Sequence, residues 1–247
     1  GMSSSLPEDV QLAMYRTVPG MENCKIVRNA YAIEYDCINP GQLYPTLQFK
    51  AISGLFSAGQ FNGSSGYEEA AAQGMIAGMN AGLFLQGKEQ VVLDRSQAYI
   101  GVLIDDLVTL GTKEPYRMFT ARAEYRLNLR HDTADQRLSE YGYKVGLKTD
   151  AQMKKLHKKI DTIDEILDLL HKKFTTENPG YPEEYWNAAQ IDYKYEHYIE
   201  KQDRRVEKMR RMENAKIPYD FDYGKIPGLS AESRMKLENV RPLTLGQ

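Results

Sequence analysis

GLFSAGQFNGSSGYEEAAAQGMIAGMNAG, residues 54–82, is the stretch that decides how this chain folds. Its beginning predicts a short buried strand from Leu55 to Ala58, and its second half predicts a helix from about Tyr67. Three glycines separate the two elements: Gly59, Gly63 and Gly66. Glycine lets the backbone take left-handed conformations and lets a ligand approach closely. The stretch therefore predicts a strand, a tight turn and a helix, as in an α/β protein.

The predicted helix has two features of its own. Its first N–H groups, at the positive end of the helix dipole, favour an anionic or electron-rich group. Small residues recur every four positions along it, at Ala70, Gly74, Gly78 and Gly82. Because glycine inside a helix costs roughly 1 kcal/mol relative to alanine, this stripe predicts very close packing against another element. A ligand-binding turn and an ordinary tight βα unit both remain open on this local pattern.

Composition narrows the class of protein. The chain has 247 residues, with 32 basic and 34 acidic side chains, so any basic surface must be local. No apolar run approaches the roughly 20 residues that span a bilayer, and no secretory signal is visible, which favours the cytoplasm. Cys24 and Cys37 lack metal-site spacing, and the four histidines are scattered, so no metal site is predicted. We expect both ends to be cuts through a longer protein.

The segments around the glycine turn carry weaker signals. Residues 25 to 35 alternate like a half-covered strand. A helix is predicted from Asp94 to Leu110, with Ser96 as its cap and Gly111 after its end. The carboxylates of Asp105 and Asp106 are adjacent, so they point to different sides of a helix. We therefore expect them to form a solvated acidic patch.

Arginines concentrate between residues 117 and 130. Arg122, Arg126 and Arg130 are four apart, and alternation with Tyr125, Leu127 and Leu129 favours a strand with the arginines on one face. With Arg117 nearby, this face matches phosphate, because guanidinium groups fit phosphate geometry. The alternative is an exposed face paired with acidic neighbours, and the residues alone favour that alternative.

Two long helices are predicted in the second half. One follows Asp150 and carries a heptad seam: Met153, Leu156, Ile160, Ile163, Leu167, Leu170 and Phe174. The other spans about Ile191 to Met212, with a candidate seam at Ile191, Tyr195, Tyr198, Gln202, Val206, Met209 and Met212. The seams predict an antiparallel hairpin.

The second of these helices also carries aromatic and basic residues. Its aromatic residues, with Trp186 before them, either stack on RNA bases or belong to the core: Tyr193, Tyr195 and Tyr198. Its basic residues alternate with acids, so pairing within the helix is the expected use of Lys201, Arg204, Arg205, Lys208, Arg210 and Arg211.

Longer motifs carry a family resemblance. Residues 54–60 resemble the second flavin-binding motif of glutathione-reductase-like flavoproteins, with Gln60 where that motif has an acid that bonds the FAD ribityl chain. Three segments are similar to the GidA/MnmG family: Ala58–Gly74, Tyr99–Thr109 and Glu114–Arg126. The resemblance runs from about Ser3 to Gln247. It is weakest between Phe174 and Gln190, where this chain is shorter than the family leads us to expect.

The resemblance implies a fold class and a domain division. It implies the α/β edge of a glutathione-reductase-like FAD-binding domain, followed by a mainly α-helical domain. Residues 1–95 would be the C-terminal portion of the FAD-binding domain. Residues 96–247 would form a tRNA- and partner-binding domain without its C-terminal end.

The resemblance also implies an activity for the whole protein. Such FAD enzymes work with a GTPase partner and install an aminomethyl or carboxymethylaminomethyl group at C5 of the tRNA wobble uridine. Methylenetetrahydrofolate supplies the carbon, glycine or ammonium the nitrogen, and NADH reduces the FAD; the full-length protein is expected to be a homodimer. The implied flavin-holding residues are Gly59, Gln60, Asn62, Gly63, Gly66, Tyr67 and Glu68. The implied tRNA-contacting residues are Arg117, Arg122, Arg126 and Arg130.

Catalytic residues are not assigned. The chain has no G-x-G-x-x-G motif for a pyrophosphate, and Cys24 and Cys37 do not lie in the reactive-cysteine motifs of the family. We therefore expect the chain alone to be inert and to bind FAD weakly or not at all. Two alternatives stay open: a small-molecule FAD oxidoreductase, and a non-catalytic helical module that binds RNA or protein.

Overall fold

The structure of the protein is a computed structural model that describes residues 4–31, 35–173, 177–218, 220–242 and 244–245. The α-helices of these ranges are α1 Glu8–Arg16, α2 Tyr67–Leu85, α3 Tyr99–Asp105, α4 Ala134–Lys144, α5 Asp150–Lys173, α6 Glu183–Asn214 and α7 Ala231–Val240. The chain divides into two compact units, Gly1–Cys37 and Ile38–Gln247. The boundary after residue 95 stays a prediction. Among the helices of the described ranges, none combines the length and the apolar character that a membrane span needs.

The first unit consists of α1 and irregular chain. The strand predicted for residues 25–35 is wrong for its described part, which is irregular, and positions 32–34 lie outside the described residues. The buried Gln11 explains the conformation, because its amide Nε2 donates to the carbonyls of Leu6 and Ala30, while the Ala30 N–H donates to Gln11 Oε1 at 2.9 Å. A side chain of α1 therefore holds this backbone in place of a neighbouring strand.

The strand predicted from Leu55 to Ala58 is also wrong. The described residues of this region pair only through isolated antiparallel bridges, Leu43 with Phe49 and Gln48 with Phe56. Leu47 has a positive φ of 66°, which interrupts any regular extended run, and Leu55 is 43% exposed. The predicted α/β edge is thus reduced to single bridges, and helices dominate the fold.

Helix α2 begins at Tyr67, as predicted, but its small-residue stripe does not pack closely. The core of this part lies on the opposite side of α2 and joins Leu43, Leu47, Ile76, Ala77, Leu103, Ile104, Leu107 and Tyr116. A Cβ added at Gly74, Gly78 or Gly82 would meet no described atom within 4 Å. The prediction of close packing there is wrong for the described residues.

Helix α3 is shorter than predicted. It begins at Tyr99 instead of Asp94, and Ser96 is not its cap: Asp94 Oδ1 accepts the Ser96 N–H at 2.7 Å in the turn that precedes it. α3 continues as a π-helical turn, Asp106–Leu110, and ends at Gly111 with a φ of 68°, as predicted. This turn places Asp106 on the buried side.

Helices α5 and α6 form the main helical pair, and they run parallel. Lys159 Nζ lies 3.4 Å from Glu184 Oε1, and twelve residues further along both helices His171 Nε2 lies 3.2 Å from Glu196 Oε2. The predicted antiparallel hairpin is therefore wrong. The buried contacts between the helices come from Ile163, Ile166, Leu170, Trp186, Ala188 and Ala189.

The two predicted seams are only partly correct. In α5, Met153, Leu156, Ile163 and Leu170 are buried, but Lys159 and Ile166 are buried as well, and Phe174 lies outside the described residues. α6 starts at Glu183, eight residues before the prediction, so that Trp186 falls inside it and is core. Ile191, Tyr198 and Met212, which were assigned to its seam, are exposed.

Candidate functional site

The glycine turn has a defined backbone. Gly59–Asn62 form one turn of 3-10 helix, and Gly63 and Gly66 lead into α2. Gly59 and Gly63 have positive φ angles of 83° and 90°, as predicted, whereas Gly66 has a φ of −102° and is not left-handed. Position 66 favours glycine for another reason, because a Cβ there would lie 1.5 Å from Glu69 Oε2 and the Glu69 carboxylate would have to move.

A buried chain of polar side chains holds the turn together. Ser57 Oγ donates to Asn62 Oδ1 at 2.5 Å, and Asn62 Nδ2 donates to Gln73 Oε1 at 2.8 Å. Gln73 Nε2 in turn donates to Ser64 Oγ at 2.7 Å, and Ser64 Oγ donates to the Gly59 carbonyl. Asn62 and Gln73 are fully buried. Asn62, predicted to hold the flavin, therefore uses its amide inside the turn.

Other predicted cofactor residues face outward. Gln60 and Glu68 are exposed, Tyr67 is 94% exposed, and the side chain of Gln60 has no hydrogen bond to a described residue. The first N–H groups of α2 have no acceptor within the helix, and Gly66 supplies no side-chain cap. One carboxylate already lies at this helix start: Glu69, only 8% exposed, accepts the Met118 N–H at 2.9 Å.

The arginine segment, residues 117–130 with Tyr116 before it, begins next to the glycine turn. Ser64 and Tyr116 form a parallel bridge, in which the Tyr116 N–H donates to the Gly63 carbonyl at 2.7 Å and the Ser65 N–H donates to the Tyr116 carbonyl at 3.0 Å. Arg117 Nη1 donates to the Ser65 carbonyl at 3.2 Å. The structure thus places the predicted tRNA-contacting Arg117 beside the predicted flavin turn.

The remaining arginines do not share one strand. A 3-10 turn, Thr120–Arg122, and further turns replace the predicted strand, so that prediction is wrong. Arg122 lies 4.5 Å over the Tyr116 ring and donates through Nε to the Arg117 carbonyl at 2.9 Å. Arg126 is exposed and has no ion pair with a described residue.

Arg130 differs from the other arginines of this segment because two carboxylates bind its guanidinium. Its guanidinium bonds Asp132 at 3.0 Å and Asp192 at 2.5 Å, and it is largely buried. Burial disfavours its charge, but hydrogen bonds to the two carboxylates outweigh that effect and raise the pKa of Arg130. The paired alternative therefore describes Arg130 well, and its charge links the chain before α4 to α6.

A second ionic cluster was missed. Arg95 bonds three carboxylates, Asp106 at 2.5 Å, Glu124 at 2.7 Å and Asp105 at 3.0 Å. Burial opposes its charge, yet the carboxylates raise the pKa of Arg95 above the ordinary value. Asp106 is only 7% exposed, so the prediction of a solvated patch is wrong for it. The spacing along the helix could have indicated that Asp106 is buried. Asp106 follows the core residues Val102 and Leu103 by four and three positions, which places it on their face of the helix.

Tyr116 connects this cluster to the glycine turn. Its hydroxyl donates to Asp106 Oδ2 at 2.7 Å, and burial together with this bond raises its pKa. Its backbone forms the bridge to Ser64. Through this residue the ionic cluster fixes the backbone that carries Arg117. The described residues contain no cluster of three or more side chains that could hold a metal ion.

Comparisons with known proteins show what the chain as a whole is similar to. The family model "Glucose inhibited division protein A" matches residues 1–89, and "tRNA modifying enzyme MnmG/GidA C-terminal helical bundle" matches residues 205–247. Two relatives named "tRNA uridine 5-carboxymethylaminomethyl modification enzyme MnmG" come from Caldicellulosiruptor saccharolyticus and Bacillus subtilis. They are 51% and 47% identical over 100% of this chain and 46% of their own length.

Solved structures match as well. GidA from Aquifex aeolicus in its form II crystal has a TM-score of 0.77 and 44% identity, over 99% of this chain and 46% of that one. The form I crystal gives a TM-score of 0.75 and 46% identity. The chain spans about half the length of the relatives it matches. Its alignment to them nevertheless runs over 289 residues, so the relatives have additional residues inside the matched range. Over the half of the family's length that it spans, this chain belongs to the GidA/MnmG family.

Proposed function

We propose that this chain is part of the FAD-containing subunit of a tRNA wobble-uridine modification enzyme. In this proposal the glycine turn forms one side of the flavin site. Arg117, beside that turn, is part of a surface that contacts tRNA. The observation that carries the proposal is the bridge between Ser64 and Tyr116, which brings together two segments about fifty residues apart in sequence.

The residues present fit one side of a flavin site. Gln60 has a free, exposed amide that can both donate and accept hydrogen bonds to the ribityl chain or the ring edge. The first N–H groups of α2 favour negative charge, although the carboxylate of Glu69 at the same helix end reduces that effect. Asn62, Gly63 and Gly66 would act indirectly, by shaping the turn. When bound, FAD supplies the redox chemistry.

The tRNA surface of the proposal uses Arg117 and Arg126, with Arg122 beside them. Arg117 and Arg126 are exposed, and neither is ion-paired to a described residue. Arg122 is held over the Tyr116 ring, so that its position is fixed for a phosphate contact. Arg130 stabilises the fold and contributes least, because two carboxylates already bind its guanidinium.

The activity belongs to the whole protein. There a GTPase partner, methylenetetrahydrofolate, glycine or ammonium, and NADH would complete the installation of an aminomethyl-type group at C5 of the wobble uridine. The whole protein would act as a homodimer in the cytoplasm. The chain described by this sequence would be inert alone, because it contains neither a G-x-G-x-x-G motif nor a cysteine in a reactive-cysteine motif.

Two measurements on the purified chain test the proposal. After equilibration with FAD and desalting, we expect less than stoichiometric flavin absorbance; a stoichiometric signal would show that the site is complete within this chain. Binding of an unmodified tRNA transcript should depend on salt. Because each phosphate contact contributes roughly 0.7–0.9 to the slope of log K against log salt, Arg117→Ala with Arg126→Ala should reduce that slope by about 1.5.

The control is Lys225→Ala with Lys236→Ala, which removes the same charge from exposed lysines that are paired with Asp222 and Glu232. This control should bind tRNA like the parent chain. Absence of salt-dependent binding by the parent would favour the small-molecule oxidoreductase. RNA binding that is unaffected by the arginine variant would favour a helical RNA-binding module with its surface elsewhere.

A further inference from the structure

The basic residues of α6 divide into two groups. Three of them have acidic partners: Arg204 lies 3.8 Å from Glu200, Arg211 lies 2.6 Å from Glu207, and Arg210 lies 3.3 Å from Asp94. Pairing within the helix was predicted for the whole run, and it holds for Arg204 and Arg211, whereas Arg210 pairs outside the helix. It does not extend to Lys201, Arg205 and Lys208, which are exposed and have no ion pair with any described residue.

The unpaired cations follow the helix surface in one line. Five positions at 4-3-4-3 spacing define what we call the α6 stripe: Lys194, Tyr198, Lys201, Arg205 and Lys208. This spacing keeps side chains on one face, and the stripe is about 21 Å long at 1.5 Å per residue. None of its positions is acidic, although acids are frequent elsewhere on α6.

An exposed aromatic cluster lies at one end of the stripe. Tyr198 is 61% exposed, and its ring meets those of Tyr195 and His197 edge-on, at 6.5 and 6.2 Å between centroids. Lys194 Nζ lies 5.4 Å from the Tyr195 ring centre. More than half of Tyr198 therefore stays accessible to solvent beside these rings.

Like charges one helical turn apart destabilise a helix unless something neutralises them. The stripe concentrates such charges on α6, while the paired cations of the same helix show that acidic partners were available in its sequence. A line of cations beside an open aromatic ring is the surface that single-stranded or looped RNA requires, since phosphates meet the cations and an unstacked base meets the ring.

We propose that the α6 stripe is a second RNA-contacting surface, on which Lys201, Arg205 and Lys208 follow a tRNA backbone and Tyr198 stacks on an unpaired base. The proposal rests on the proposed function, because it takes tRNA as the RNA. It adds a surface separate from Arg117 and Arg126. An acidic protein is the competing occupant, and it would use the charges but not the ring.

The experiment measures binding of an unmodified tRNA transcript by the full 247-residue chain over a range of salt. The test variant is Lys201→Gln, Arg205→Gln, Lys208→Gln. We expect weaker binding at low salt and a slope of log K against log salt that is smaller by about 2.1 to 2.7. The matched control is Lys172→Gln, Lys225→Gln, Lys236→Gln, which changes the net charge equally at exposed lysines with acidic partners. The control should keep the parent slope.

Tyr198 gives an independent readout. Tyr198→Leu should weaken tRNA binding about tenfold at every salt concentration with an unchanged slope, because stacking carries no counterion release. Tyr198→Phe keeps the ring and should bind like the parent. Circular dichroism should show equal helix content for all variants, since each substituted side chain is exposed.

The outcomes separate this proposal from the proposed function. If Arg117→Ala with Arg126→Ala weakens tRNA binding but the stripe variant does not, the stripe is refuted and the proposed function stands. Equal losses for the stripe variant and its charge-matched control would also refute it. If polyglutamate binding is lost in the stripe variant while Tyr198→Leu leaves tRNA binding intact, the stripe binds an acidic protein instead. If the parent does not bind tRNA, the stripe proposal fails whatever the flavin measurement shows.

Discussion

Replacing Gly66 by alanine should disrupt the contact between the start of α2 and the arginine segment. The new Cβ would lie 1.5 Å from Glu69 Oε2 and 2.4 Å from its carboxyl carbon, so the Glu69 side chain must leave its position. In doing so it gives up the 2.9 Å hydrogen bond from the Met118 N–H, next to Arg117. The substitution therefore acts on stability and on the placement of that arginine.

The magnitude follows from the bond that is lost. A hydrogen bond to a charged group contributes about 1.5–3 kcal/mol, and alanine is a poorer helix cap than glycine by about 0.5–1 kcal/mol, so Gly66→Ala should cost about 2–4 kcal/mol. Gly78→Ala on the same helix is the matched control. Its Cβ meets no described atom, so it should stabilise the chain by up to about 1 kcal/mol.

Urea unfolding of the purified variants measures both effects, as changes in midpoint at constant slope. A double-mutant cycle with Glu69→Ala tests the mechanism. Once Glu69 is truncated, the alanine at position 66 has no carboxylate to displace, and only the cap preference remains, about 0.5–1 kcal/mol. If the two substitutions are additive, or if Gly66→Ala is neutral, the contact between Gly66 and Glu69 does not determine stability and the reasoning is refuted.

Three further substitutions test other contacts by the same unfolding assay. Gly101→Ala would place a Cβ 2.3 Å from the Asp94 carbonyl oxygen, and because backbone yields poorly we expect a loss of about 1–3 kcal/mol or more. Tyr116→Phe should cost about 1.5–3 kcal/mol at neutral pH by removing the bond to Asp106. Burial and that bond raise the pKa of Tyr116, so its stabilisation is complete below about pH 10, and the difference from the parent should shrink above that pH. Arg130→Met should cost about 2 kcal/mol at pH 7. Burial of one carboxylate partner, Asp132, raises its pKa, but the bond from Arg130 outweighs this and lowers it, so the cost should decline as the pH falls below about 4.

Local signals in the sequence predicted local structure correctly. The start of α2 at Tyr67, the end of the π-helical turn at Gly111, and the start of α5 at Asp150 all depend on residues within one or two turns of the boundary. The positive φ angles of Gly59 and Gly63 belong to the same class, because glycine is the residue that takes them at little cost. These features require no knowledge of distant contacts.

Contacts between distant segments were not predictable in this way. The prediction of a strand at Leu55–Ala58 failed because a strand needs a partner, and the partner segment is interrupted by the left-handed Leu47. The ionic cluster around Arg95 was not predicted, for a related reason. Helical spacing can indicate that Asp106 is buried, but it does not indicate its partner. The carboxylates around Arg95 come from positions up to 29 residues away, and a charge pattern does not show which of them meet.

Family resemblance identified candidate residues but not their use. It gave the same role to Asn62 and Gln60, whereas the structure uses the first inside the turn and leaves the second exposed. It gave the same role to Arg117 and Arg130, of which only the first has a guanidinium without a carboxylate partner among the described residues. The distinction depends on hydrogen-bond partners, which a motif does not specify.

The direction of α5 and α6 has the largest consequence for function. A heptad seam indicates a partner helix but not its direction, which depends on the connection. Nine residues separate Lys173 from Glu183, and they can reach about 30 Å, more than the roughly 23 Å needed to return fifteen residues along a helix. The contacts of Lys159 with Glu184 and of His171 with Glu196 share an offset of 25 residues.

At that offset α5 ends level with Tyr198, so residues 201–208 lie beyond the end of α5. One side of this part of α6 contacts the chain before α4, through Gln202 to the Glu124 carbonyl and through Asp203 to Asn128. The other side carries the unpaired cations. In an antiparallel hairpin the same residues would lie beside the first half of α5. The parallel direction therefore leaves Lys201, Arg205 and Lys208 of the α6 stripe beyond the end of α5.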